Sequence, residues 1–364
     1  MDFSFVARNS KLFLCLSLLV AVSFGAWAPF IQTVNNVDYF RLKNHPDNKY
    51  FEQFEEVFGN NEFFVIAFEK DNMFTSENLR ILKEITLKIE SLDLARDVVS
   101  LASVDYIIGE EDNFYVQPFL MDIPQGQDQL EILKSRGVQH PLYKKNLISS
   151  DGRTAAIVVF AYDQGGDPDH RQKLLHSTAR ILEPYLPETD FYLAGWTVTN
   201  YSMGQYMERD LSKYIPVTYS LLALIVFVFF RNIRLTLLAL ITIAACLTST
   251  MGLSGILGIP ITNVTTIIPP LIMALTLTAV VHIFTHMEKS VLDSSRDKFE
   301  ALSRVLNQVA VPCFLTSLTT IVGFFSLYIS ELEPIREFSI LAVSGMVFGF
   351  FFSFFLLPSL ILFI

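Results

Sequence analysis

The fold is decided by one stretch, Ile267-Ile-Pro-Pro-Leu-Ile-Met-Ala-Leu-Thr-Leu-Thr-Ala-Val-Val-His-Ile-Phe-Thr-His286. It is long and apolar enough to cross a bilayer, since about 20 such residues span the hydrocarbon core. A plain membrane anchor needs neither the double proline at its start nor the threonines and histidines inside it. At helical spacing Thr278 and His282 fall on one face, so this face must contact protein or water rather than lipid. The polar stripe predicts a transport pathway or a helix-packing seam.

The composition is that of a membrane protein with several spans. Of the 364 residues, 51% are hydrophobic and 33 are phenylalanine, and the mean hydropathy of +0.41 is too high for an ordinary soluble protein. The formal net charge of −10 is concentrated between residues 31 and 213, and an acidic segment argues against nucleic-acid binding. Cys15, Cys246 and Cys313 lie in apolar runs, so we expect buried thiols rather than disulfides.

Six apolar runs predict six transmembrane helices. Basic residues precede the first run and separate the second from the third and the fourth from the fifth, so they all lie on one side if every run spans; by the positive-inside rule that side is the cytoplasm. Residues 289–307 carry a partial apolar face and are expected to form an amphipathic helix on the inner membrane surface. The runs are 12–31, 215–230, 235–257, 264–286, 309–329 and 338–364.

The first run has two interpretations. Ala26-Trp27-Ala28 is similar to a signal-peptidase site, which would make the run a cleaved leader. We prefer a retained anchor, because the apolar run continues past that site and Pro29 would directly follow the cut. In both cases the segment that follows leaves the cytoplasm.

The segment 32–213 predicts a mixed α/β domain. Short apolar runs alternate with a helical pattern over residues 76–91, in which Ser76 is the expected N-cap. Two rounds of strand, helix and strand favour one or two small layered units, joined by a Pro- and Gly-containing linker at 110–152. The predicted strands are 62–68, 97–101, 154–162 and 191–193, and the second predicted helix is 167–186.

Seven short motifs stand in an order that carries a family resemblance. They are Phe58-Gly-Asn-Asn-Glu62, Val99-Ser-Leu101, Arg209-Asp-Leu211, Phe230-Arg-Asn-Ile-Arg-Leu235, Pro269-Pro-Leu-Ile-Met273 with His282 downstream, Leu315-Thr-Ser-Leu-Thr-Thr320 with Gly323-Phe324, and Pro334-Ile-Arg-Glu-Phe338. With one anchor, a large α/β segment and five further helices, the chain resembles one half, a six-helix repeat, of a resistance-nodulation-division (RND) transporter. The resemblance is to the lipid-exporter branch that includes MMPL and hopanoid-type exporters, and it covers nearly the whole chain.

The resemblance implies a membrane α-helical bundle of six transmembrane helices, with an external α/β domain of the ferredoxin-like, porter type inserted between helices 1 and 2. Residues 1–31 would form a cytoplasmic tip and the first helix, 32–213 the periplasmic domain, and 214–364 helices 2–6 with the surface helix at 289–307. It also implies a multi-pass protein of the inner membrane. The implied function is secondary transport or efflux of a hydrophobic or amphiphilic molecule such as a lipid, across or out of that membrane.

The chain departs from the family pattern in two ways. Proton-driven relatives carry an aspartate in the fourth helix, three or four residues before the position of His282, whereas this chain has Thr278 and Ala279 there. A threonine cannot exchange a charge. Histidine titrates near neutrality, so His282 is a candidate replacement for that aspartate. We prefer the interpretation that His282 is hydrogen-bonded within the helix bundle. The second departure is length: relatives repeat the unit, so we expect a homodimer or a missing second six-helix half, and the resemblance leaves room for a periplasmic partner protein.

The candidate residues for the pathway or seam are hydroxyls and one imidazole. The alternative for the hydroxyls is a bond to their own backbone carbonyls. No motif of an ATPase or a serine esterase occurs and the histidines lack metal-ligand spacing, so we expect no catalytic residue, cofactor or metal. A non-transporting module that senses lipids or scaffolds partners remains the alternative function. The candidates are Thr276, Thr278 and His282 in the fourth helix and Thr316, Thr319 and Thr320 in the fifth.

Overall fold

A computed structural model describes residues 4–34, 37–42, 45–58, 62–110, 113–162, 169–292 and 298–363. By their internal contacts the residues form two compact units, one of residues 46–202 and one of residues 1–45 with 203–364. The helices are α1 (Ser4–Arg8), α2 (Ser10–Gly25), α3 (Asp47–Phe58), α4 (Ser76–Glu90), α5 (Gln127–Gln139), α6 (His170–Leu182), α7 (Trp196–Phe230), α8 (Ile233–Leu257), α9 (Ile268–Leu292), α10 (Lys298–Phe325), α11 (Glu333–Phe351) and α12 (Leu357–Phe363). The strands are β1 (Phe63–Glu69), β2 (Ala95–Val99), β3 (Asp105–Glu110), β4 (Asn113–Pro118), β5 (Thr154–Ala161) and β6 (Asp190–Gly195).

The unit of residues 46–202 contains a four-stranded antiparallel sheet in the order β2-β5-β1-β6. Every second residue of β1 and β5 is buried, as expected for strands with one face on a core. Ile66 at the centre of β1 lies opposite Ile157 of β5 and Leu193 of β6. Because α4 connects β1 to β2 and α6 connects β5 to β6, the connectivity is the split βαβ arrangement of ferredoxin-like units.

The core of this unit forms between the sheet and α4. Phe64 and Phe68 of β1 and Leu82 and Ile85 of α4 are completely buried there. The predicted N-cap was one residue too late, because Thr75 rather than Ser76 accepts the backbone amide of Asn78, at 3.1 Å. The helix itself ends within one residue of the predicted position.

Residues 110–152 contain more structure than the predicted linker. The hairpin of β3 and β4 pairs antiparallel from Asp105↔Pro118 to Glu110↔Asn113, and α5 follows it with Leu130 and Leu133 buried. Helix α5 packs beside the sheet core, since Gly137 approaches the rings of Phe74 and Phe119. Sequence patterns missed the hairpin because β3 carries charges and a glycine, and β4 begins with asparagine and ends with proline.

A buried ion pair ties the start of β1 to α6. Glu62 is 5% exposed, and its Oε1 and Oε2 accept from Arg171 Nε at 2.5 Å and Nη2 at 3.1 Å. The His170 Nε2 lies 3.7 Å from the same carboxylate. Because two hydrogen bonds satisfy the buried charge, the pair holds α6 in register with the sheet.

Among the described residues, the other unit is a helical bundle with six helices long and apolar enough to cross a membrane, in agreement with the six predicted spans. Three of them begin five or more residues earlier than predicted, so polar residues lie in their first turns: α7 begins at Trp196, α10 at Lys298 and α11 at Glu333. Residues 203–213 lie within α7 and group by their contacts with the helical unit, so the unit that contains the sheet is shorter than the predicted 32–213 domain. The spans are Ser10–Phe30, Trp196–Phe230, Ile233–Leu257, Thr265–Met287, Phe299–Ile329 and Glu333–Phe363.

The surface helix expected at 289–307 is not a separate element in the described residues. Residues 289–292 end α9, residues 293–297 lie outside the described part, and residues 298–307 form the first turns of α10. The apolar face of those turns is buried against protein, because Leu302 and Val305 pack with Val6 of α1 and Phe284 of α9. A helix whose apolar face already has protein contacts does not need the lipid surface.

Glycines let several bundle helices approach closely. A Cβ on Gly252 of α8 would lie 1.8 Å from the carbonyl oxygen of Phe24 in α2, and one on Gly255 would lie 2.3 Å from that of Trp27. In α11, a Cβ on Gly345 would lie 2.2 Å from the side chain of Ile272 in α9. The sequence pair Gly345 and Gly349 is therefore a packing surface, as its four-residue spacing predicts.

Candidate functional site

A groove lies between α9 and α10 and reaches α11. Its volume is about 130 Å³. All three helices belong to the predicted membrane spans, so the groove is at the level of the bilayer. It is lined by Leu275, Thr278, Ala279, His282 and His286 of α9, Gln308, Val309, Pro312, Cys313, Thr316, Ser317 and Thr320 of α10, and Met346 of α11.

The polar side of α9 follows from its helical spacing. Thr278, His282 and His286 recur every four residues and therefore share a face. The opposite side carries apolar residues such as Met273 and Val280, which are fully buried in the bundle. The helix is thus fixed to the bundle by one face and presents the other to the groove.

The residues of α10 that form one row along the groove have the same four-residue spacing. Gln308, Pro312, Thr316 and Thr320 are also four residues apart, so they form one row along the groove. Pro312 lies inside the helix and has no amide proton, so the carbonyl of Gln308 loses its usual intrahelical donor.

The hydroxyls of the groove bond to their own helices. Thr278 donates to the carbonyl of Ala274 at 3.2 Å. Thr316 donates to that of Pro312 at 2.9 Å, and Thr320 to that of Thr316 at 2.8 Å. Hydrogen bonds to the carbonyls of the same helix are the alternative that the sequence analysis gives for these hydroxyls. They leave the oxygen lone pairs of each hydroxyl directed at the groove or its rim.

The groove carries no aspartate, glutamate, lysine or arginine among the described residues that line it. Its titratable side chains are His282, His286 and Cys313. The Nδ1 of His286 lies 2.9 Å from the carbonyl oxygen of His282; a nitrogen there donates, which leaves Nε2 of His286 as an acceptor. Along its described residues the lining is therefore polar and carries no carboxylate, lysine or arginine side chain.

The candidate residues from the sequence fall into two groups. Thr278, His282, Thr316 and Thr320 meet in the groove. Thr276 does not, because two residues turn an α-helix by about 200° and place it on the opposite face. There it is buried and donates to Cys246 Sγ of α8 at 3.2 Å.

Thr319 is the second candidate outside the groove. It is exposed and donates to the carbonyl of Thr316 at 2.9 Å. The predicted single seam of hydroxyls between the fourth and fifth helices is therefore divided between a packed face and an open groove. The role of these residues as a pathway stays a prediction.

Several lining residues were not singled out from the sequence. Gln308 and Pro312 continue the row of Thr316 and Thr320 toward the start of α10, so the four-residue spacing could have identified them. Met346 had no such signal, because α11 is distant in sequence and only packing brings it to the groove.

A buried carboxylate, Glu337, lies within the last span and away from the groove. Glu337, in the second turn of α11, is 9% exposed, and its Oε1 accepts a hydrogen bond from the Tyr39 hydroxyl at 2.6 Å. Burial, followed by this hydrogen bond, raises the pKa of Tyr39 above its ordinary value. The contact links the segment after the first span to α11.

Comparison with known proteins agrees with the motifs. The MMPL family model matches residues 48–364, a range that includes every strand and all three helices of the groove. A protein of Methanocaldococcus jannaschii, described as a candidate membrane protein, is 22% identical over an alignment of 370 residues that covers 98% of this chain and 91% of that relative. Because the model covers far more than half of the sequence, the resemblance drawn from the motifs is confirmed and the chain belongs to the MMPL family.

Proposed function

We propose that the protein is an RND-type secondary transporter, or a six-helix half of one, that moves a hydrophobic or amphiphilic molecule such as a lipid across or out of the membrane. One observation carries the proposal: the groove places a row of polar groups beside apolar side chains at membrane depth. We propose transport and no chemical reaction at this groove.

The polar row needs an occupant or a cover. Thr278, His282 and Thr316 are exposed at the surface of a chain that crosses the bilayer, and polar groups facing hydrocarbon are costly. Leu275, Val309 and Met346 line the same groove. An amphiphile satisfies both kinds of wall, because its headgroup meets the polar row while its chain meets the apolar residues or the lipid.

The unit of residues 46–202 is proposed to lie on the outer side of an inner membrane, as a porter-type domain between the first two spans. The support is the distribution of basic residues, since Arg8, Lys11, Arg231 and Arg234 lie at the ends of spans that all face the opposite side. In that position the domain would receive the molecule that leaves the groove, alone or with a periplasmic partner protein.

A second six-helix unit is the proposed partner of the bundle. A second copy, or a second half, would cover part of the exposed polar face of α9 and α10 and turn the open groove into an enclosed path. Interhelical hydrogen bonds in membranes average about 0.6 kcal/mol, so such contacts favour association without making it irreversible.

The lining also supports a second candidate, a lipid-sensing or scaffolding module. Thr278 and Ala279 line the groove where proton-driven relatives have an aspartate. A site without a carboxylate can bind a lipid without coupling its movement to protons. Transport and sensing are separated by whether the bound molecule crosses the membrane.

The test is transport by the purified full chain in lipid vesicles under an imposed proton gradient, with a fluorescent lipid as probe. Thr316→Trp should reduce the rate at least ten-fold, because the indole fills the groove. Leu315→Trp is the matched control: Leu315 is 53% exposed on the same helix and is not a lining residue.

Equal loss in both variants would show that the groove is not the path. Binding of the probe without gradient-dependent movement in the unaltered chain would exclude transport by this unit and support the sensing module.

A further inference from the structure

The three threonine hydroxyls of the groove are acceptors rather than donors. A hydroxyl has one proton and two lone pairs. Thr278, Thr316 and Thr320 each direct that proton to a carbonyl of the preceding turn, at 3.2, 2.9 and 2.8 Å. What they offer to a molecule in the groove is oxygen lone pairs.

One further group adds an acceptor to the same wall. His286 directs Nδ1 to the His282 carbonyl at 2.9 Å, which in the neutral imidazole leaves Nε2 as an acceptor. The other polar lining residues, His282, Gln308 and Ser317, each carry both a donor and an acceptor. Acceptors therefore outnumber donors along the groove.

Charge restricts the headgroup further. No carboxylate lines the groove to pair with a cation, and no lysine or arginine among the described lining residues pairs with an anion. An unpaired ion at membrane depth is expensive. The complementary headgroup is neutral and donates hydrogen bonds.

We infer that the groove binds the headgroup of a neutral, hydroxyl-bearing amphiphile, such as a monoacylglycerol or a long-chain alcohol, whose hydroxyls donate to Thr278, Thr316 and Thr320. The inference rests on the proposed function, since it names the substrate class of the same groove. The acyl chain then lies against Leu275, Val309 and Met346 or extends into lipid.

The test is native mass spectrometry of the full chain in detergent with two probes of equal chain length. One is 1-monododecanoylglycerol, which donates through two hydroxyls, and the other is its dimethyl ether, which cannot donate. One hydrogen bond is worth about five-fold in affinity, so the diol should bind at least ten-fold more tightly than the ether. Dodecanoate and dodecyltrimethylammonium should bind more weakly than the diol.

Valine variants locate the acceptors, because valine keeps the shape of threonine and removes the oxygen. Thr320→Val and Thr278→Val should each weaken diol binding about five-fold and leave ether binding unchanged. Thr319→Val and Thr285→Val are matched controls. Their hydroxyls make the same kind of backbone bond, at 2.9 and 2.8 Å, but neither residue lines the groove.

Equal affinity for diol and ether overturns the inference, and so does an equal effect of Thr319→Val and Thr320→Val. Preferred binding of an ion also overturns it. In each of these cases gradient-driven transport that Thr316→Trp blocks would leave the transporter proposal standing. Conversely, donor-dependent binding without any transport supports the headgroup assignment and excludes the transporter.

Discussion

Two helix–helix interfaces of the bundle differ in the groups that face each other across them. Between α2 and α8, glycines bring backbone against backbone, and no side chain separates Gly252 from the Phe24 carbonyl. Between α9 and α10, threonines direct their protons back into their own helices and a groove of about 130 Å³ remains. The first boundary is made by contact between the helices, and the second is left open to another molecule.

The difference separates two uses of small and polar residues in a membrane. Glycine permits close approach, and the many dispersion contacts that follow hold the helices together. A threonine that donates to its own backbone does not need a partner helix to accept its proton, so it can line a space at a lower cost than a hydroxyl without a bond. We therefore expect substitutions at the α2–α8 boundary to act on folding and those at the groove to act on binding.

The largest expected effect is that of Gly252→Ala. The new Cβ would meet the Phe24 carbonyl oxygen and carbon, at 1.8 and 2.3 Å, and backbone atoms cannot rotate away as a side chain can. The helices must separate, which should lower the free energy of unfolding by about 3 kcal/mol, the upper end for overpacked cores. Unfolding in detergent micelles titrated with sodium dodecyl sulfate measures it.

Gly323→Ala is the control for this prediction. A Cβ on Gly323 of α10 meets no atom within 4 Å, and alanine in a helix is favoured over glycine by about 0.5–1 kcal/mol. This variant should be as stable as the unaltered chain or slightly more so. Equal destabilisation by both variants would mean that added bulk on any membrane helix, and not the α2–α8 contact, sets the effect.

Sequence patterns predicted the spans because length and apolarity are properties of each segment alone. They also predicted that Thr278 and His282 share one face of the fourth helix, since helical spacing is a local property. They placed Thr276 in the same stripe, although a two-residue step turns the helix by about 200°. That error came from treating neighbouring polar residues as one set instead of following the four-residue spacing.

Other features depend on partners that sequence spacing does not reveal. Gly252 and Gly255 are a close contact only because Phe24 and Trp27 lie opposite them. Met346 enters the groove only through packing of α11. The hairpin of β3 and β4 is stabilised by cross-strand pairs rather than by a strong apolar alternation. Each of these requires the relative position of two segments that are distant in the chain.

The next effect compares the two faces of α9. Thr276 is 3% exposed, and its Oγ1 would lie 3.0 Å from a Cβ on Gly349, so Thr276→Leu adds bulk to a filled site and should cost about 2 kcal/mol. Thr278→Leu places the same side chain in the groove and should change stability by less than about 0.5 kcal/mol. The same detergent titration measures both. Equal costs would show that the groove closes by packing in the membrane.

The smallest expected effect is on coupling. If transport is driven by protons, Thr278→Ala should leave the pH at half-maximal rate unchanged, because a hydroxyl contributes about 1 kcal/mol of hydrogen bonding and does not titrate. The rate itself should fall as headgroup binding weakens. The family resemblance implies an aspartate at the position of Thr278 or Ala279 in proton-driven relatives, so the variant asks whether Thr278 takes part in coupling. His282→Gln is the comparison, since glutamine keeps hydrogen-bonding groups at a titratable position of the same face but carries no proton equilibrium near neutrality. Transport in vesicles over pH 5–8 gives both profiles. Loss of all proton-driven transport in a folded Thr278→Ala protein would show that the hydroxyl is part of the coupling path and that the groove is more than a binding site for the headgroup.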